Sequence, residues 1–170
     1  MKRLKLLLLT VLCSINMLAQ NSPLIGTWEG TLSMEIPDPN SDGTKNYQYK
    51  AIVRIKQYDG DYLVRMKNVP TEEPSKARYF DNCTIISSSP TTLTWNCGNE
   101  KSYDCGYIVN GHTVHSAEFS YNCSVKFDKG RLCYSYYMHT IYRNKREIII
   151  GTHDTPILGE TYLYSQEGDW

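Results

Sequence analysis

From His115 to Phe127 the odd positions read His, Ala, Phe, Tyr, Cys, Val, Phe, and the even positions from Ser116 to Asp128 read Ser, Glu, Ser, Asn, Ser, Lys, Asp. Period two sustained over that length predicts a strand with one apolar and one wet face. Between Leu132 and Met138 the apolar residues move to even positions: Leu132, Tyr134, Tyr136 and Met138. A two-residue turn at Lys129-Gly130 then sets Phe127 opposite Leu132, Val125 opposite Tyr134, Cys123 opposite Tyr136 and Tyr121 opposite Met138. Every pair lies on the apolar face, and a slip of one residue would scatter it.

The same reasoning predicts three more hairpins. Asp59-Gly60 suits a type I′ turn, in which both central residues take positive φ. It sets Ile55 opposite Val64 and Val53 opposite Met66, with Arg54 facing Arg65 on the outside. A fold about Ser88–Thr92 sets Ile85 opposite Trp95 and Cys83 opposite Cys97. Around Asn110-Gly111 a three-residue loop would pair Tyr107 with His115, Cys105 with Ala117 and Tyr103 with Phe119. With a first strand at Trp28 and a last near Thr161–Ser165, about eight or nine antiparallel strands follow in chain order. No stretch has a helical period of ten or more residues. Such a meander hides its edges by closing into a barrel or folding into a sandwich.

The opening of the chain has a different character. Met1-Lys2-Arg3-Leu4-Lys5 is cationic, Leu6–Leu12 is apolar apart from Thr10, and Met17-Leu18-Ala19-Gln20 ends the run. This order predicts a signal peptide over residues 1–19, cleaved after Ala19, and export to the periplasm or the medium. A lipid-modified Cys13 is the rival reading, but Val11 and Leu12 stand before it where small residues belong. The apolar run is far shorter than the roughly 20 residues that span a bilayer, so no stable membrane insertion is expected.

Residues 20–170 form one predicted domain, and its first strand begins Gly26-Thr27-Trp28. In an exported antiparallel meander this Gly-x-Trp resembles the start of the calycin group: lipocalins, avidins and their lipocalin-like bacterial relatives. The resemblance implies an all-β fold closed into a single lipocalin-like barrel. It also implies that Trp28 packs across the closed end as a structural plug, and that a small ligand is held in the barrel mouth. The Thr-Asp-Tyr turn of lipocalins, and their helix after the last strand, have no counterpart here.

Charge and chemistry narrow the functional classes. The chain has 18 basic and 18 acidic residues. Removing Lys2, Arg3 and Lys5 with the leader leaves 15 against 18, a formal charge of −3, and no basic stripe for nucleic acid. No nucleophile elbow, phosphate loop or His-Glu-x-x-His pair occurs, so no enzyme activity, metal or cofactor is expected. Two motif-free arrangements remain: His112 and His115, three apart and so on opposite faces of a strand, and His153 beside Asp154 in a turn.

Five cysteines follow the leader: Cys83, Cys97, Cys105, Cys123 and Cys133. The turn register predicts a Cys83–Cys97 disulfide. Cys105 and Cys123 share the dry side, and Cys133, on the outer face, is left as the free thiol. Tyrosine is abundant, at 14 residues. Tyr107, Phe119, Tyr121, Tyr134, Tyr136 and Met138 fall on predicted inner faces, where they either fill a core or wall a ligand pocket. The expected function is therefore binding of a small, partly apolar ligand in a barrel cavity. The alternative is a secreted β-sandwich interaction module, glycan-binding or inhibitor-like, that uses outward tyrosines such as Tyr137 and Tyr162.

Overall fold

The computed structural model describes residues 22–37, 44–81, 83–104, 106 and 108–167. The expected leader, Cys105 and Tyr107 lie outside the described residues. Among the described residues there are twelve strands: β1 (Gly26–Pro37), β2 (Thr44–Tyr58), β3 (Asp61–Pro70), β4 (Arg78–Phe80), β5 (Cys83–Ser88), β6 (Thr92–Tyr103), β7 (Ile108–Val109), β8 (His112–Thr113), β9 (Ser116–Asp128), β10 (Arg131–Arg143), β11 (Ile149–Pro156) and β12 (Thr161–Gln166). Among the described residues the one helical turn is a 3-10 turn at Pro74–Lys76.

Nine strands form a nearly closed antiparallel barrel in the order β4-β3-β2-β1-β12-β10-β9-β6-β5. Its two edge strands, β4 and β5, are consecutive in the chain, so the seam is bridged covalently. β11 and β12 both run along β10. β11 pairs with its second half, Tyr137–Arg143, and β12 with its first, Arg131–Tyr134. β12 also pairs with β1, which brings the first and last strands together. Gly30 marks that closure, because a Cβ there would lie 2.4 Å from the Tyr162 carbonyl oxygen. The meander therefore closes as a barrel, and the sandwich is overturned.

Three of the four expected hairpin registers are present pair for pair: β9–β10 about Lys129-Gly130, β2–β3 about Asp59-Gly60, and β5–β6. Asp59 and Lys129 take φ of 51° and 49°, as type I′ turns require. The fourth is corrected. Asn110-Gly111 closes a two-residue turn, pairing Val109 with His112 in a separate small ribbon. Tyr103 faces Ser116 instead of Phe119. Asp104, at φ 51°, turns the chain out of the large sheet before that ribbon, and a register shift between Cys97 and Glu100 resets the pairing.

The inward faces fill the barrel. At the end near the Asp59 and Lys129 turns, Trp28 is buried, donates its indole N–H to the Leu24 carbonyl at 2.9 Å and meets Phe127 edge-on. The segment before β1 covers this end: Leu24 is fully buried, and Ser22 reaches the Pro90 carbonyl in the β5–β6 turn. At mid-height the Met66 thioether is the common acceptor for buried donors. Trp95 Nε1 lies 3.3 Å from it, Tyr134 OH and Cys123 Sγ 3.5 Å, and Cys97 Sγ 3.9 Å.

This acceptor gives a direct test. Met→Leu nearly conserves volume and ordinarily costs less than about 1.5 kcal/mol. At Met66 the swap strands the Trp95 N–H and forces Tyr134 onto Cys123, and an unsatisfied buried donor costs about 1–3 kcal/mol. Met66→Leu is expected to lose roughly 2–4 kcal/mol in urea unfolding. A loss below 1 kcal/mol on the same scale would deny the thioether this role.

Candidate functional site

The residues expected to wall a pocket are brought together, and they pack on one another. Phe80 meets Tyr121 at 4.8 Å between ring centroids, Tyr121 meets Tyr136 at 5.6 Å, and Tyr134 lies 6.3 Å from both Tyr136 and Trp95. Tyr121, Tyr134 and Tyr136 are at most 3% exposed, and Met138 is 7% exposed. Side chains lining a water-sized cavity would show more surface than this. Burial raises the pKa of all three phenols, keeping them neutral donors. Phe119 is half-buried, near the end of the barrel away from Trp28.

That end carries a polar trio that sequence spacing did not signal. Arg78 Nη1 donates to Tyr121 OH at 2.9 Å and to Glu100 Oε2 at 3.1 Å, and Tyr121 OH donates to the same carboxylate at 3.2 Å. Arg78 comes from β4, Glu100 from β6 and Tyr121 from β9. β6 pairs with β9, and the near-closure of the barrel brings β4 from the other edge of the sheet, so topology and not spacing along the chain assembles them.

Beside this end lies a cleft of about 440 Å3, between the excursion after β6 and the turn joining β10 to β11. Val114, Thr113 and Ile148 line it together with Asp104, His112, His115, Asn144, Lys145 and Arg146. The turn is rigid because Asn144 Oδ1 accepts from the backbone N–H groups of Arg146 and Ile148. Main-chain bonds tie both walls to the sheet, from Asp104 N–H to the His115 carbonyl and from His115 N–H to the Arg143 carbonyl, each 2.8 Å. His115 Nδ1 is buried 3.4 Å from Asp104 Oδ1, out of hydrogen-bonding alignment and without another partner. Val114 anchors the floor in a second small core with Ala117 and Tyr142. His112 and His115 thus share one cleft although β-strand alternation would separate them, because the chain bends between β8 and β9. Lys145 and Arg146 occupy a polar turn that carries no motif.

The other histidine–carboxylate pairing also differs from the sequence expectation. Asp154 lies in β11, opposite His139 of β10, with His139 Nδ1 and Asp154 Oδ1 2.5 Å apart. Adjacent His153 falls opposite Thr140 instead. Hydrogen bonds from Tyr137 and His139 hold the Asp154 carboxyl below the usual carboxylate range. The outward tyrosines are engaged as well: Tyr137 with Asp154, and Tyr162 with Glu160 and under the Arg131 guanidinium. Among the described residues no three His, Cys, Asp or Glu side chains group as a metal site, and no helix is long and apolar enough to cross a membrane.

Fold and cleft together define a small antiparallel barrel with a filled interior and a polar-rimmed recess on its flank. No family model, curated relative or solved structure matches the chain.

Cys83 and Cys97 stand opposite each other as expected, but both are free thiols in the structure, as are Cys123 and Cys133. Their mutual hydrogen bond and burial raise the Cys83 thiol pKa, so spontaneous thiolate attack is slow. Oxidised glutathione is expected to convert the pair to a disulfide, seen by peptide mapping without reductant. It would close a loop of about 15 residues and add roughly 3 kcal/mol. Recovery of both thiols unchanged would remove the pairing.

A second prediction concerns Asp154. A carboxyl with a depressed folded pKa stabilises the fold above its ordinary value of 3.8, and that contribution is lost as pH falls through the lower folded value. Tyr137→Phe removes the largest cause and is expected to move the Asp154 titration upward in carboxyl-detected NMR. An unmoved titration would assign the depression to His139 alone.

Proposed function

We propose that the protein is an exported, lipocalin-like barrel that binds a small, partly apolar molecule bearing an anionic or acceptor group, and that the ligand sits in the flank cleft. The cleft carries the proposal. Its volume of about 440 Å3 lies within the roughly 300–1,000 Å3 usual for ligand sites, with Val114 and Ile148 as floor and His112, His115, Lys145 and Arg146 around it. His115 lines the cleft with its Nδ1 turned toward Asp104, so the cations Lys145 and Arg146 are the groups that would meet an anionic ligand. Packing of Tyr121, Tyr134 and Tyr136 on one another argues against the barrel axis as the place of binding. The Gly26-x-Trp28 start and the leader-like residues 1–19 support the lipocalin-like, exported part of the reading.

A second reading is favoured by one observation. Tyr103, Ile108, Ile148 and Ile149 are each more than half exposed, and Ile148 lines the cleft itself. Exposed apolar groups around a polar recess suit a macromolecular partner.

The test uses anilinonaphthalene sulfonate, an apolar probe with one negative charge, displaced by octanoate. Saturable fluorescence is expected, weakened about tenfold when Lys145 and Arg146 are both changed to Gln, since two solvent-exposed charge contacts at about 0.2–1 kcal/mol each together approach about 1.4 kcal/mol. Tyr136→Phe, inside the barrel, is expected to leave the affinity unchanged. Binding that follows the interior substitution and ignores the cleft would return the ligand to the barrel. No saturable binding of either compound would favour the macromolecular reading.

A further inference from the structure

The sulfur atoms inside the barrel form a group of their own. Met66 comes from β3, toward one edge of the sheet, and Cys97 and Cys123 come from β6 and β9, toward the other. All three side chains are buried. The Met66 thioether lies 3.5 Å from Cys123 Sγ and 3.9 Å from Cys97 Sγ. Cys97 and Cys123 are hydrogen-bonded to each other, which closes a triangle of sulfurs. Cys83, half-buried on edge strand β5, hydrogen-bonds Cys97 in turn and leads from the triangle to the seam between β4 and β5.

A thiol is a weak donor and a weak acceptor, so contacts among these groups contribute little to stability. Converging sulfurs do bind soft cations well. An ion bonded to three sulfurs in one plane at about 2.3 Å holds them roughly 4.0 Å apart, close to the spacings here. The surrounding donors suit the charge such a complex would carry. Two thiolates and one monovalent cation leave a single negative charge in the core. Tyr134 OH lies 3.7 Å from Cys123 Sγ, and the Trp95 indole N–H reaches Cys97. Both donors also lie beside Met66. Once the thioether lone pair is given to a metal, the thiolates are the acceptors left to them, and such outer contacts orient and tune a metal's ligands.

We propose that Met66, Cys97 and Cys123 form a binding site for one Cu(I) ion. Thiolate and thioether ligands favour this soft cation, whereas Zn(II) in a closed site takes four ligands in a tetrahedron. The ion displaces the two thiol protons to solvent; S–H bonds give way to S–Cu bonds, and no oxidation state changes. Because the ligands come from strands toward both edges of the sheet, the bound ion ties β3 to β6 and β9 across the interior. Three separate strands supply the ligands, which is why no Cys-x-x-Cys spacing announces them. With only two thiols beside a thioether, the set forms no cluster of three His, Cys, Asp or Glu. The site is independent of the flank cleft, and either proposal can fail alone.

The experiment is an anaerobic titration of the reduced full chain with Cu(I), in competition with bathocuproine disulfonate. Reduction matters because a Cys83–Cys97 disulfide would consume one ligand. A single equivalent of copper is expected to be held, with X-ray absorption showing sulfur alone in its first coordination shell. Changing Cys13, Cys105 and Cys133 together to Ser is expected to leave the affinity unchanged. In that background, Cys97→Ser and Cys123→Ser are each expected to weaken binding by more than about a hundredfold, beyond the roughly 10–100-fold that changes outside the ligand set cost. Met66→Leu is expected to weaken binding and to remove one sulfur from the shell. Circular dichroism checks that the variants fold, and the wild-type absorption spectrum gives a reading that needs no variant. Complete capture of the copper by the competitor, or nitrogen or oxygen in its shell, would overturn the site. So would its loss when Cys13, Cys105 and Cys133 are replaced. Displacement of Cu(I) by an equal concentration of Zn(II) would overturn it in favour of a four-ligand set that draws in Cys83.

Discussion

The interior of this barrel depends on one sulfur atom. A small barrel of eight or so strands has room for side chains and little else. Here those side chains include a tryptophan and several tyrosines, whose N–H and O–H groups need partners wherever water is absent. Met66 supplies one to Trp95, Tyr134, Cys97 and Cys123 together. An unbranched thioether is polarisable and adaptable enough to sit among four donors. With those needs met internally, the core holds few unpaired polar groups. The proposed site of recognition therefore lies outside the core, at the polar-rimmed cleft.

The two ends of the barrel follow from that displacement. One is sealed by Trp28, Phe127 and the Ser22–Leu24 crossing. At the other, the link from β6 to β9 leaves the sheet and builds the β7–β8 ribbon against the β10–β11 turn. Asp104, Asn110 and Glu147 all take positive φ in this region. Asp and Asn tolerate that conformation, but for Glu147 it is uncommon, and a sparsely populated conformation costs on the order of 1–3 kcal/mol. Glu147 is held by Lys101 and by the Arg143 contact to its carbonyl. Such strain persists where surrounding contacts over-determine a shape, and here the shape is the wall of a cleft.

How much was legible in the sequence follows the same division. Where a two-residue turn meets strict alternation, as at Asp59-Gly60 and Lys129-Gly130, pairing could be read residue by residue, and the Arg54–Arg65 opposition came with it. Cys83 opposite Cys97 was readable for the same reason. The link after β6 was not, because Asp104 gives no stronger turn signal than any other aspartate, and the shift at Cys97–Glu100 breaks the count. Tyr121, Tyr134 and Tyr136 were placed correctly, yet alternation reports only which face a residue occupies. A packed aromatic stack and a pocket wall have the same pattern, so the filled interior became visible only through ring-to-ring distances. Arg78 and Glu100 are brought to Tyr121 by strand order, which no local pattern encodes.

Charge also limits what the proposed flank cleft can hold. Its cations, Lys145 and Arg146, stand on a chain that is neutral as a whole, and more acidic without its leader-like segment. With no large net field to draw ligands from a distance, attraction there is confined to about one Debye length, roughly 8 Å at physiological ionic strength. Selectivity must then come from contact with imidazoles around an apolar floor. Small anionic ligands satisfy that requirement, because their whole charge fits within the range of the few groups that meet it. A long polyanion would leave most of its charge over the acidic remainder of the surface, and the same local fields would hold it weakly.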